Sequence, residues 1–176
     1  MKKTVLVFGL ISGGILAAMM AGTMVIYKNG RFDFDRGEIF GYTSMILAFI
    51  IVFFGMRSYR ENNGGGAITF GKAFQVGILM TLIACALYVV TWEIIYYRFV
   101  PDFADQYAAH AIAKMRASGA SAAALAKATA DMAHFKEIYQ NPFVNIGMTF
   151  LEIFPVGLVM TLISAGILRK KLTLEV

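Results

Sequence analysis

Apolar residues dominate four stretches of the chain, 4–27, 39–56, 75–97 and 143–168, which are 24, 18, 23 and 26 residues long. Crossing a bilayer takes about 20 such residues, with a range of about 17–25. Each stretch therefore predicts a transmembrane helix. The second is the shortest, about 27 Å at the helical rise, and is expected to stand nearly upright. The fourth contains Pro155. The first follows Lys2-Lys3, as a secretory signal would. Its apolar run is longer than the roughly 7–15 residues of a signal core, and no clean small-x-small site ends it. An uncleaved helix is expected.

The connections differ from one another. Residues 28–38 form a short, charge-mixed loop with a turn at Asn29-Gly30. Residues 57–74 hold Asn62-Asn63-Gly64-Gly65-Gly66, which reads as a flexible break. An amphipathic lead-in over 67–74 follows. The long segment 98–142 is Ala-rich with regular charges and predicts two helices. Pro101, Asp102 and Asp105 suit the start of the first, Lys114 and Arg116 its end, and Gly119 stops it. Ser121 caps the second, where Lys127 and Asp131 stand four apart. Phe103, Tyr107, Ala111 and Met115 form one apolar stripe, and Leu125, Met132, Phe135 and Tyr139 another. Two readings remain open. The stripes pack together as a helical hairpin, or they form a surface for a partner or the membrane.

Composition supports the membrane reading. The 176 residues are 59% hydrophobic and 15% charged, against about 45–50% and about 25% in soluble domains. Mean hydropathy is +0.67. Disorder, collagen and disulfide scaffolds are excluded. Cys85 is the one cysteine, so no internal disulfide forms. It lies in an apolar run and reads as a packed hydrophobe. Leu82-Ile83-Ala84-Cys85 resembles a lipoprotein box but sits mid-chain, where such a box has no meaning.

A net charge of +5 would raise nucleic acid as a partner for a soluble protein. Here the basic residues flank apolar runs, so topology explains them and nucleic acid is not expected. Lys2, Lys3, Arg57, Arg60, Lys72, Arg169, Lys170 and Lys171 share one side. Lys28, Arg31, Arg36, Arg98, Lys114, Arg116, Lys127 and Lys136 share the other. The tally is eight each, but the first set falls in 29 residues and the second in 56 that also hold seven acids. The denser side is cytoplasmic by the positive-inside rule. Both termini are then cytoplasmic. Trp92, Tyr96 and Tyr97 gather at the outer end of the third run, as an interfacial aromatic belt would.

Candidate chemistry is sparse. Gly66-Ala67-Ile68-Thr69-Phe70-Gly71-Lys72 approaches a phosphate-cradling loop, but Ala73 follows where Ser or Thr must hold Mg²⁺, and no strand precedes it. Asp131, His134 and Glu137 share a helix face without a second ligand cluster, so no metal site is expected; His110 stands apart from them. No nucleophile triad is present. No cofactor is implied, and an enzyme is disfavoured. The informative residues lie inside the apolar runs. Glu93 is about 6 Å from the outer end of the third helix, within snorkelling reach. Glu152 is deeper, about 14 Å below the outer end of the fourth. A charged acid at such depth costs about 3 kcal/mol on insertion scales, so a neutral, protonated carboxyl is expected. Pro155 lacks a backbone donor and frees the Leu151 carbonyl. Acid and proline together predict a polar spot inside the bundle, with Tyr88 at similar depth as partner. That spot is either a structural hydrogen bond or a proton, ion or small-ligand site. Gly9, Gly13, Ala17 and Ala21 recur every four residues, and Gly14, Ala18 and Gly22 make a second row. Such rows let helix backbones approach within one chain or between copies.

Several short motifs follow one another along nearly the whole chain: Gly41-Tyr42 with Met45-Ile46-Leu47-Ala48, then Ser58-Tyr59-Arg60, then Gly66-Ala67-Ile68-Thr69-Phe70-Gly71-Lys72-Ala73-Phe74. Tyr139-Gln140-Asn141-Pro142 and Thr149-Phe150-Leu151-Glu152-Ile153-Phe154-Pro155-Val156-Gly157 complete the set. In this order they resemble an uncharacterised bacterial membrane family, domain of unknown function 4199. The resemblance implies a bacterial four-helix membrane protein with a long outer insert. It implies no activity, substrate or catalytic residue.

The expected molecule is an all-α integral membrane protein of a bacterial inner membrane. It is one domain over 1–176, with four transmembrane helices and an extramembrane helical hairpin at 98–142. A non-enzymatic scaffold or accessory subunit is the first functional reading, with the bilayer and a membrane or periplasmic protein as partners. A small homo-oligomeric transporter or proton-coupled permeation unit using Glu152, with Glu93 at its outer mouth, is the alternative.

Overall fold

The computed structural model describes residues 1–28 and 34–170, with side chains omitted for 25–28 and 34. Six α-helices follow in order: α1 (Lys2–Lys28), α2 (Phe34–Asn63), α3 (Phe70–Phe99), α4 (Phe103–Ala117), α5 (Ala122–Tyr139) and α6 (Pro142–Leu168). No strand occurs among the described residues; one isolated backbone pair joins Ile68 to Lys170. Helices α1, α2, α3 and α6 are each long and apolar enough to cross a membrane. All four apolar runs are thus helical. Helix α2 continues for several residues beyond each end of its run, because Asp35, Arg36, Arg57 and Arg60 are compatible with helix in water. The Asn29-Gly30 turn, Arg31 and Lys171 lie outside the described residues.

Contacts group the chain into two compact units, Met1–Thr91 with Phe150–Val176, and Trp92–Thr149. The first unit is built on close helix approach. Gly13 on α1 leaves room for Leu87 and the Ala84 backbone of α3, and Gly157 on α6 for Thr81 and Phe49. A Cβ at Gly157 would come within 2.5 Å of the Thr81 methyl. Around these contacts lie Phe49, Val52, Met56, Val76, Met80 and Ile153, all buried. Polar groups inside are paired: the Ser12 hydroxyl donates to the Ala48 carbonyl at 2.9 Å, and the Thr81 and Thr161 hydroxyls meet at 2.8 Å. Gly9 faces Ile83 of α3, so Gly9 and Gly13 serve packing within the chain. Ala17 is half-buried and Ala21 exposed. Gly14 and Gly22 have no neighbours on their open side.

The glycine segment after α2 is a built turn rather than a flexible break. The Gly64 and Gly66 amides both donate to the Arg60 carbonyl, and Ala67 N–H donates to Gly64. Gly65 and Gly66 have φ of 59° and 82°, a left-handed conformation that side chains disfavour. Ile68 and Lys170 exchange two backbone hydrogen bonds of 3.0 and 2.9 Å. Arg60 reaches the Leu168 carbonyl at 3.4 Å, at the open C-terminus of α6. Thr69 caps α3 through the Lys72 amide, and the Lys72 ammonium donates to the Gln75 side chain at 2.9 Å.

The second unit is built on rings. Phe103 and Tyr107 of α4 face Phe135 and Tyr139 of α5, with Tyr107 to Phe135 at 5.7 Å and Phe103 to Tyr139 at 6.5 Å. The centre of the α4 seam is Ala104 and Ala108, both buried, while Tyr107 stays exposed at its edge. Small alanines let the two helices close, and the larger rings then flank the seam. Gly119 ends the α4 turn with φ 76°, and the Ser121 hydroxyl accepts from the Ala124 amide at 3.2 Å. Asp102 makes no backbone cap; its carboxylate accepts from the Gln106 amide at 2.6 Å. Lys136 and Asp105 form an exposed ion pair across the seam.

Candidate functional site

Two polar places break the apolar pattern, one in each unit. In the second unit, Pro142 occupies the first position of α6, where its missing N–H costs nothing. The Asn141 side chain accepts from the Phe143 amide at 3.0 Å and sets the helix start. One turn on, Asn145 is fully buried. Its carbonyl oxygen accepts from the Trp92 indole at 3.0 Å and from the Thr149 hydroxyl at 3.4 Å. The same indole N–H lies 3.0 Å from the Tyr139 hydroxyl. Rings enclose this node: Phe103 stands edge-on to Trp92 at 4.9 Å, and Tyr96 packs edge-on to Tyr139 at 5.5 Å. Among the described residues, the Asn145 side-chain nitrogen has no hydrogen-bond partner. A buried donor left unmade costs about 1–3 kcal/mol, so an adjoining polar group or water would stabilise this node.

The expected aromatic belt is therefore corrected. Trp92 and Tyr96 are buried in this cluster, and only Tyr97 is exposed. The indole N–H has its partners inside the protein, so the ring has no need of a headgroup. Glu93 follows on α3, half-buried, with one carboxylate oxygen shut away from solvent and without a hydrogen-bond partner among the described residues. With Ile94, Tyr97, Arg98 and Phe99 it lines an open hollow of about 730 Å³.

The second place is Glu152, in the first unit. Packing gives its height. Gly157 is level with Thr81 and Phe49. Five residues outward along α6 put Glu152 near residue 86 of α3, so Tyr88 lies within about 3 Å of that height. Their exposure differs. Tyr88 is half-buried against the core, whereas Glu152 is exposed, as are Leu151 and Pro155. The carboxyl is thus on the outer surface of the unit, not enclosed in the bundle as expected. Among the described residues it has no hydrogen-bond or ion-pair partner; Glu38 of α2 is within electrostatic reach.

Other candidates are dispersed. Asp131, His134 and Glu137 are all exposed on α5, and among the described residues no group of His, Cys, Asp or Glu is placed to hold a metal ion. Cys85 is buried. Asn145 escaped sequence reasoning, which places Tyr139 in the α5 apolar stripe without its bond to the indole. The available signal was a lone amide inside an apolar run, which carries the same warning as a lone acid.

The chain matches a family model described as "Protein of unknown function (DUF4199)" over residues 7–170. No curated protein and no solved structure matches it.

Proposed function

Because the chain belongs to the DUF4199 family, whose function is unknown, we propose a role from its architecture: a non-enzymatic scaffold or accessory subunit of a bacterial inner membrane. Helices α1, α2, α3 and α6 span the bilayer, and α4 and α5 stand outside it as a hairpin. Both termini face the cytoplasm. The gathering of basic residues supports this orientation: Arg60 reaches the end of α6, Ile68 pairs with Lys170, and Lys72 is 3.5 Å from the Met1 sulfur.

The observation carrying the role is the α4–α5 pair. Its apolar stripes close on each other through Ala104, Ala108 and the rings, which leaves charged faces for a partner protein. Exposed Ala123, Lys127 and Ala130 share one outward face of α5. Photo-crosslinkers at these three positions, activated in native membranes, should trap the same single protein. Recovery of nothing from all three, while the protein is folded and inserted, overturns the scaffold role.

Nothing specific favours a conduit through one copy. The Ser12 hydroxyl is taken up by the Ala48 carbonyl, the Thr81 and Thr161 hydroxyls by each other, and Glu152 is exposed. A path using Glu152 would have to run between copies.

A further inference from the structure

The exposed side of α6 poses a problem of its own. Met148, Leu151, Glu152, Pro155, Val159 and Leu162 are all exposed and recur at three- and four-residue steps, so they form one stripe. All but Glu152 suit lipid. By the same helical rise, Glu152 lies about 9 Å inward of Glu38, which is one turn past the start of α2. Ionisation of the carboxyl is costly at that depth in hydrocarbon. As a neutral acid it is still one hydroxyl donor needing an acceptor. Pro155 has no N–H, so the Leu151 carbonyl loses its usual donor from four residues on. Lipid tails offer neither a donor nor an acceptor.

Each chain therefore presents, on adjacent residues of one stripe, a donor without a partner among the described residues and a carbonyl without its usual helix donor. A surface with both halves of a hydrogen bond is complementary to itself. Resting on the membrane-spanning reading, we infer that this stripe is the interface with a second copy of the chain. The two copies are related by a twofold axis along the membrane normal. The Glu152 carboxyl of each copy donates to the Leu151 carbonyl of the other, and Val159 and Met148 pack against their counterparts. An isologous contact of this kind closes at two copies. The open Gly14 row on α1 is a stripe of small residues without any polar demand, and it serves as the control surface.

Disulfide trapping in native membranes tests this. Cys85 is buried and unique, so a Cys85→Ala background is free of competing thiols. Met148→Cys and Val159→Cys should each form disulfide dimers on oxidation, and Leu10→Cys on exposed α1 should not. In lipid-dilution energy transfer, Glu152→Leu should weaken dimerisation roughly fivefold or more, and Glu152→Gln, which keeps a donor, should weaken it less. Leucine at a lipid-facing position leaves the fold intact, and unchanged Trp92 fluorescence confirms that. Equal trapping from Leu10→Cys, an undiminished Glu152→Leu dimer, or α6 thiols that capture only a different protein would each overturn the inference. Extraction of the protein by alkaline carbonate would instead sink the membrane-spanning reading on which it rests.

Discussion

The two units solve helix packing by different means. In the first, glycines bring backbones together: Gly13, Gly55, Gly77 and Gly157 each face a neighbour that a Cβ would hit. In the second, Gly119 and Gly147 meet nothing, and rings from Trp92 to Tyr139 make the contacts. If the first unit spans a bilayer and the second stands in water, as proposed, the difference follows from the solvent. Lipid is as apolar as a leucine side chain, so spanning helices gain nothing by hiding side chains from it. They hold by close van der Waals contact and hydrogen bonds. Where helices meet water, burying large rings is itself the driving force, about 25 cal/mol per Å² of apolar area. One unit should thus be intolerant of an added methyl, and the other of a lost ring.

The harshest way to probe that contrast is Trp92→Ala. It removes a buried ring and both of its hydrogen bonds, and should cost about 3–5 kcal/mol. Amide exchange should quicken in α4 and α5 while α1 and α2 stay protected; uniform quickening would show that the units are not separable. Gly157→Ala comes next. The Thr81 methyl and the Phe49 ring must move, at about 1–3 kcal/mol, whereas Gly14→Ala should stay within about 0.5 kcal/mol. Equal unfolding midpoints in denaturing detergent for the two variants would refute close approach as the packing device. Thr81→Val leaves the Thr161 hydroxyl alone and should cost about 0.6 kcal/mol, at most about 1.7, with part recovered in the double valine variant. Additive losses in that double-mutant cycle would mean the two hydroxyls do not interact. The smallest effect is expected from Lys136→Ala. Its ion pair with Asp105 is exposed, so the loss should be under about 1 kcal/mol and vanish at high salt. A large, salt-insensitive loss would give that seam a polar core it does not have here.

Element positions were legible in residue order, and rotations were not. Glu152 and Tyr88 illustrate this. Counting along apolar runs put them at matching height, and the structure agrees to about one helical residue pair. Counting says nothing about which way each faces, because that depends on how α6 rolls against α2 and α3. The roll is set by Gly157, whose lack of a side chain admits Thr81 and Phe49 and so turns Glu152 outward. Trp92 is a similar case. An amphipathic ring near a helix end reads as interfacial, but Tyr139 and Asn145 arrive from α5 and α6 to satisfy its N–H. The glycine run after α2 misled for a third reason. Glycine permits both a loose chain and a left-handed turn, and the Arg60 carbonyl selects the turn.

By itself, the amino-acid order determined the class of molecule: an all-helical chain with four helices long enough to cross a membrane, a charged insert of two more, and membership of one family. Those properties rest on local hydrophobicity, capping residues and length, all carried by neighbours in sequence. Tertiary structure alone decided that the deeper of the two acids in the apolar runs, Glu152, is exposed and that the lone tryptophan is buried. Both outcomes depend on residues distant in the chain meeting at van der Waals range, which no single segment encodes.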